Sequence, residues 1–321
     1  MRRFQPVQGA RNAAYRIAAI LAGVERLEAE QARTSERLAA LEATVAELRA
    51  RPGADPVLEA MERNRAEMLE ALHLLHDDEP GTRRRLWEAR ASAEYEAAYD
   101  EHEPLVSVLI PTYTNVETLV DRALPSVLAQ TYQHFEVIVV GDAAAPEVEQ
   151  AVLGLGDDRI RYTNLTHRGP YPEEDFKRWL VAGGPPINEA IRQARGRWIV
   201  QMDDDDRARP TRIEVLLNAA RERRLEFCYG RIQEHGPDGH EALLCEWPPG
   251  WGTVSLNSSI MHAGLRFVTA ELGEAVFGIV GDWARIRKMM RVGARIGMID
   301  DVVLDYYPSS LWNPERQPPV S

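Results

Sequence analysis

Arg197-Trp-Ile-Val-Gln-Met-Asp-Asp-Asp-Asp-Arg-Ala-Arg-Pro210 is the stretch whose reading decides the fold. Its β-prone half, residues 198–202, delivers Asp203, Asp204, Asp205 and Asp206 to a point where the chain must turn. Four like charges in a row repel one another, so the run makes sense if a cation sits among them. A hard divalent ion, Mn²⁺ or Mg²⁺, takes oxygen ligands of this kind and usually shares them with a substrate's phosphates. The competing explanation is a solvated acidic turn, because acidic runs are common on surfaces. The preceding strand and the Pro210 that follows at a helix start favour the cation.

Outward from this stretch the chain alternates. Residues 105–110, 135–140, 159–163, 198–202, 226–229 and 301–306 read as strands. Residues 118–130, 146–153, 187–195, 210–223 and 281–292 read as helices. The run Leu105-Val-Ser-Val-Leu-Ile110 is continuously apolar, as in a parallel strand buried on both faces. Repeated strand-helix order predicts an α/β domain with helices on both faces of an open sheet. In such sheets ligands sit beyond the carboxyl ends of the strands. Neither a G-x-G-x-x-G turn nor a G-x-x-x-x-G-K-[ST] loop is present, so any phosphates must be held by a metal rather than a glycine cradle.

The first third is different. Residues 14–50 carry a heptad repeat with Ile17, Val24, Gln31, Leu38 and Val45 at one seam position and Ile20, Leu27, Thr34, Leu41 and Leu48 at the other. The polar pair Gln31 and Thr34 interrupts the seam, a device that often sets register or partner number. Arg51-Pro-Gly-Ala-Asp-Pro56 breaks this helix, and a second apolar stripe runs through Leu58, Met61, Met68, Leu72 and Leu75. The expected layout is a coiled-coil or helical segment at 1–80 for self-association or docking, a helical linker at 81–103, and the α/β domain at 104–321. A homo-oligomer formed through the coiled coil follows, against the simpler reading that both helices pack on the main domain.

Composition narrows the class. The 321 residues suit one large domain or two modest ones, and 45% hydrophobic content is enough for a sizeable core. A net charge of −12 argues against a general nucleic-acid binder. Cys228 and Cys245 both lie in apolar stretches with no metal-motif spacing, so they read as buried thiols in a reducing, cytoplasmic setting. The N-terminal apolar patch at 13–24 is interrupted by Arg16, which is unlike a signal peptide, and no stretch reaches membrane-span length.

Three pieces, Val106-Ser-Val-Leu-Ile-Pro-Thr-Tyr113, Ser126-Val-Leu-Ala-Gln-Thr-Tyr132 and Phe135-Glu-Val-Ile-Val-Val140, together resemble the opening of family 2 glycosyltransferases of the GT-A fold. Met202-Asp-Asp-Asp-Asp206 resembles that family's D-x-D segment. The likeness covers roughly residues 104–307, two thirds of the chain, and is carried by the order and spacing of the pieces. It implies an inverting, metal-dependent transferase that moves a sugar from a nucleotide diphosphate, a uridine diphosphate sugar above all, to an acceptor hydroxyl. The acceptor would be a saccharide, a lipid-linked sugar or a protein, reached by a cytoplasmic chain that visits the membrane surface peripherally for a lipid-linked one.

Site residues follow from the same resemblance. Pro111, Thr112 and Tyr113 would line the nucleotide, and Asp142 would meet its base, although Gly141-Asp142-Ala143-Ala144 departs from the family's two acids and Gly-Ser. Asn188 matches an Asn common in the family. Asp203 and Asp205 would be the metal acids, with Asp205 the direct ligand, and Asp204 would face the ribose or diphosphate. Asp206 reads as a cap for the next helix, a role Asp performs well. Asp282, in Gly281-Asp282-Trp283, would be the general base, standing where the family has Glu-Asp and an aromatic. Arg168 is placed on the diphosphate or on the surface, and His262 reads as structural with an acceptor-side role as the alternative. Trp247, Trp251 and Trp312 read as packing residues, or as platforms for a sugar face. Two other functions fit the residues: a non-catalytic sugar-nucleotide binder on a coiled coil, and a metal-dependent nucleotidyltransferase.

Overall fold

The structure, a computed structural model, describes residues 55–236 and 239–308, together with Arg37, Ala40, Ala43 and Thr44, which are helical. Apart from those four, the heptad stretch at 14–50 lies outside the described residues, as does Trp312. The chain divides into two units, Met1–Ala71 and Leu72–Ser321. Besides those four residues, the described part of the first is residues 55–71 of helix Asp55–His76.

The second unit is built on one sheet. Its nine strands are β1 (Val106–Thr112), β2 (Phe135–Gly141), β3 (Ile160–Asn164), β4 (Trp198–Gln201), β5 (Arg207–Ala208), β6 (Phe227–His235), β7 (Glu241–Leu244), β8 (Ser259–His262) and β9 (Ile296–Tyr306). They run in the order β3-β2-β1-β4-β8-β6-β9-β5, with β7 paired to β6. The first four are mutually parallel, and β8 inserts antiparallel between β4 and β6. The α/β expectation holds. Strands β1 and β2 are buried along nearly their whole length, which is why they read as unbroken apolar runs.

Three strands were not expected: β5, β7 and β8. Strand β8 reads Ser-Ile-Met-His and follows a polar turn, so neither period nor composition marks it. Strands β6 and β9 extend well past the expected segments because their outer halves are only half-buried and mix polar with apolar residues.

The stretch expected as a linker at 81–103 is part of the packed unit. Helices Glu79–Arg90 and Ala93–Asp100 place Leu86, Tyr95, Ala98 and Tyr99 in the same core as β1, β2 and β4. Trp198, fully buried, satisfies its indole N–H on the Ala98 carbonyl at 3.0 Å. At the other end of these helices, Arg90 grips Glu226 just before β6.

Parallel register fixes the site. Thr112 pairs with Gly141 and Leu109 with Gln201, so β1, β2 and β4 all release their loops at one edge. A β-carbon at Gly141 would lie 2.5 Å from both the Asn164 Oδ1 and the Tyr162 hydroxyl, so a larger residue here would have to displace those side chains.

Candidate functional site

The four aspartates divide into two roles. Ligand oxygens of Asp203, Asp205 and Asp206 lie within 4.8 Å of one another. Asp204 turns the other way, accepting from the Thr112 hydroxyl at 2.6 Å and from Asn115 Nδ2 at 2.9 Å. It therefore ties the β4 loop to the β1 loop, and the Thr112 side chain is spent on that tie. Asp206 does not cap the following helix. Helix Arg212–Glu222 begins after Thr211, whereas Asp206 is 0% exposed and accepts from the Tyr307 amide at 3.2 Å. Contrary to the expected cap, Asp206 belongs to the acid cluster.

The electrostatics are those of a site short of positive charge. Burial first, and then the carboxylates of Asp282 and Asp205, push Asp203 up to about 8. Burial pushes Asp204 up to about 6 and raises Asp205 and Asp206 as well. Arg212 is the buried counter-charge. It is 1% exposed and donates through Nη2 to the carbonyls of Gln201 (2.7 Å) and Asn257 (2.5 Å). Arg122 donates to the Asp205 carbonyl at 2.7 Å and stacks 4.0 Å above the Tyr307 ring. It projects from a π-helical turn, Leu119–Ala123, set between Val116–Thr118 and Leu124–Leu128. Three clustered hard oxygen donors that burial resists ionising form a donor set suited to Mg²⁺ or Mn²⁺.

Asp282 stands at the start of helix Gly281–Arg291, and its charge acts on Asp203. Its Oδ2 accepts from the Ser255 hydroxyl at 2.8 Å and the Leu256 amide at 3.0 Å. The predicted base and the predicted metal acids are thus brought together. Asn257, two residues from Ser255, donates through Nδ2 to Asp203 and to Asp206. Ser255, Asn257 and Arg212 were not anticipated from the sequence.

Of the expected nucleotide residues, Tyr113, Asp142 and Arg168 form a second group. Asp142 accepts from the Gly169 amide at 3.0 Å and the Tyr171 hydroxyl at 2.6 Å. The Arg168 guanidinium lies 4.0 Å over the Tyr113 ring and 4.0 Å from Asp142. Tyr113 is exposed, and Pro111 is half-buried with its ring facing Gly183. Asn188 spends both ends of its amide on the main chain of Ala270, at 2.8 Å each. His262 stands apart from the acids. It is buried among Tyr95, Tyr99 and Trp198, bonds the Tyr95 carbonyl at 3.0 Å and accepts from the Gly264 amide at 2.8 Å, which makes it structural. Trp247 is 58% exposed rather than packed.

Two more groups of metal-capable side chains, His73 with Asp77 and Glu274, and His76 with Glu271 and Glu274, share atoms with Arg287, Lys288 and Arg291. The chain's own cations already occupy those places.

The profile of glycosyl transferase family 2 matches residues 107–171 and 183–271, the segments that carry the β1 loop, Asp142, the acid cluster and the Ser255–Asn257 turn. The chain carries a family 2 glycosyltransferase domain. It is 34% identical over 120 residues to the putative colanic acid biosynthesis glycosyl transferase WcaA of Escherichia coli, covering 36% of this chain and 38% of that protein. It is 35% identical over 118 residues to the succinoglycan biosynthesis protein ExoO of Rhizobium meliloti, covering 36% and 30%. It is 30% identical over 130 residues to WfgD of Escherichia coli, named a UDP-Glc:alpha-D-GlcNAc-diphosphoundecaprenol beta-1,3-glucosyltransferase, covering 40% and 46%. The matched regions span less than half of these relatives' own lengths. Among solved structures, S. aureus TarS 1-349 in complex with UDP-GlcNAc is similar at a TM-score of 0.48 and 19% identity, over 64% of this chain and 59% of that one.

The family 2 domain departs from the profile at residues 172–182. This stretch holds helix Asp175–Val181, whose Leu180 and Val181 form a small core of their own with Ala275, flanked by Tyr171 and Val280. No described helix is long and apolar enough to cross a membrane.

Proposed function

We propose that this chain transfers a hexosyl or N-acetylhexosaminyl group from a uridine diphosphate sugar to an acceptor hydroxyl, with inversion at the anomeric carbon. One juxtaposition carries the reading: the turn that bonds Asp282 through Ser255 and Leu256 also donates from Asn257 to Asp203, which shares a 4.8 Å cluster with Asp205 and Asp206. A proton acceptor and a cation site side by side are what a displacement at a glycosyl diphosphate needs.

Asp203, Asp205 and Asp206 would hold Mn²⁺ or Mg²⁺, which neutralises charge developing on the departing diphosphate. Asp282 takes the proton of the acceptor hydroxyl as its oxygen attacks the anomeric carbon, and the uridine diphosphate leaves with the bonding pair. Ser255 and Leu256 fix the Asp282 carboxylate through one oxygen, leaving the other to receive the proton. Tyr113, Arg168 and Asp142 supply an aromatic face, a cation and a carboxylate for the nucleotide.

The donor and acceptor in the name of the relative WfgD support the uridine donor and favour a lipid-linked acceptor over a free saccharide or protein. The chain would meet such an acceptor at the cytoplasmic face of a membrane, as a peripheral protein. Self-association through residues 14–50 rests on their heptad pattern.

The test is calorimetric titration with uridine diphosphate, with Mn²⁺ and then with chelator, on the wild type and Asp205→Ala. Metal-dependent binding that the variant loses is the expected result. Absence of binding in every condition sinks the uridine assignment and moves the search to guanosine and thymidine donors. With a donor in hand, the product's anomeric configuration read by NMR tests inversion.

A further inference from the structure

A single turn holds both halves of the site. Helical turn Leu256–Ser258 and the Ser255 before it lie between β7 and β8. The Ser255 hydroxyl donates to Asp282 at 2.8 Å and accepts from the Asn257 amide at 3.1 Å. The Leu256 amide adds a second bond to the same Asp282 oxygen, at 3.0 Å. One residue on, the Asn257 side chain turns to the acid cluster, donating to Asp203 and, at 3.4 Å, to Asp206. The turn is itself anchored from below, since Arg212 Nη2 joins the Asn257 carbonyl to the Gln201 carbonyl at the end of β4. Asp282 and Asp203 belong to elements far apart in sequence, and these bonds join them through three consecutive residues.

Asn257 is 7% exposed, and its Oδ1 is buried without a partner. A buried acceptor left unpaired is unfavourable, because it gives up its bond to water and gains none in return. Packing alone does not explain an amide there, since an apolar residue would avoid that cost. An amide is explained if its donor end is needed at the carboxylates.

We propose that Ser255 and Asn257 are positioning residues that transmit occupancy of the cation site to the proton acceptor. The inference rests on the proposed function. A cation held by Asp203 and Asp206 would fix the Asn257 amide that bonds both, and the Ser255 hydroxyl and Leu256 amide would carry that constraint to Asp282. The separation between the base and the cation is then set by this turn rather than by the distant connection through the sheet. Neither residue touches the reacting atoms in this scheme. A side chain that only filled space at either position would produce no such link.

Hydrogen exchange read by mass spectrometry tests this on the full chain, with Mn²⁺ and uridine diphosphate as the probes. In the wild type, loading should slow exchange in peptides covering 203–206, 255–258 and 281–284, by about fivefold at the last, the worth of one hydrogen bond. In Asn257→Ala the slowing at 203–206 should persist and that at 281–284 should vanish. Ser255→Ala, which keeps the Leu256 amide bond, should reduce it, and Ser255→Thr, which keeps the hydroxyl, should restore it. Slowing at 281–284 that is undiminished in both alanine variants overturns the inference and leaves the proposed function standing. No slowing at 203–206 in the wild type overturns the cation reading and this inference with it. Should Asn257→Ala fail to fold, the Ser255 pair decides the matter alone.

Discussion

Arg90 and Glu226 meet in two parallel hydrogen bonds of 2.7 Å each, from Nε and Nη2 to the two carboxylate oxygens. Glu226 is fully buried and also accepts from the Tyr95 hydroxyl at 2.6 Å and the Arg295 amide at 2.7 Å. A forked pair of this kind is stronger and more directional than a single ionic contact. It fastens helix Glu79–Arg90 to the start of β6.

Removing Arg90 leaves a buried carboxylate short of charge, so Arg90→Ala should cost about 3 kcal/mol in urea denaturation. Arg90→Lys should recover only part of this, because an ammonium lacks the fork. A loss below about 0.5 kcal/mol would mean that Tyr95 and Arg295 suffice for Glu226 and that the helix is docked by its apolar face alone.

Stability of the metal-free protein should fall as pH rises. An unfolded chain releases the Asp203 proton near 3.8, whereas the folded site, by burial and neighbouring carboxylates, keeps it to about 8. Between those values the unfolded state binds fewer protons, so the slope is negative and flattens above about 8. Asp204, Asp205 and Asp206 shift in the same direction. Groups with lowered values, such as Glu271 held at about 2 by His76 and Lys288 against its burial, act at lower pH, outside this window. The raised His76 adds to the fall, so Asp203→Asn is needed to isolate the cluster. Melting midpoints should decline from about pH 5 to about pH 8, less steeply in Asp203→Asn, and Mn²⁺ should stabilise more at the higher pH. An unchanged slope in the variant would remove Asp203 as the cause.

Asp282→Asn should keep metal-dependent nucleotide binding and lower transfer by about 10²–10⁴-fold, the usual worth of a positioned base. Its loss removes a negative charge near Asp203, which lowers both the attraction for Mn²⁺ and the competition from protons, so Mn²⁺ affinity should change by only about a few fold. A variant that loses Mn²⁺ binding together with transfer would make Asp282 a part of the cation site instead.

His262→Ala should lower stability by about 2–4 kcal/mol, through lost packing and hydrogen bonds among Tyr95, Tyr99 and Trp198. Calorimetry on the folded variant should find nucleotide binding unchanged. Weaker binding without destabilisation would point to a substrate contact.

The parallel core was legible because β1, β2 and β4 are buried on both faces and so are written as apolar runs. The acid run was legible as chemistry, since four adjacent carboxylates have little other reason to sit after a buried strand. Asp206 was misread because an aspartate before a helix serves equally as a cap or a ligand, and sequence does not say which. Thr211, nearer the helix start, was the available hint. Ser255, Asn257 and Arg212 were not legible. Their roles arise from an irregular segment folding back over β4, and no periodicity encodes a contact between residues some fifty positions apart. The helices at 79–100 looked like a linker because their polar faces dominate the composition, while a few aromatic and small residues make the contacts.

The π-helical turn at Leu119–Ala123 bears on how this site can change over time. Such a turn amounts to one extra residue in an α-helix, and it rotates what lies on one side by about 100° relative to the other. Arg122, with its grip on the Asp205 carbonyl and the Tyr307 ring, owes its aim to that extra residue rather than to its own identity. Loss of a single codon between Leu119 and Ala123 would redirect the guanidinium with every side chain of the site still present. The arrangement is therefore exposed to deletion in a way that substitution scanning does not detect.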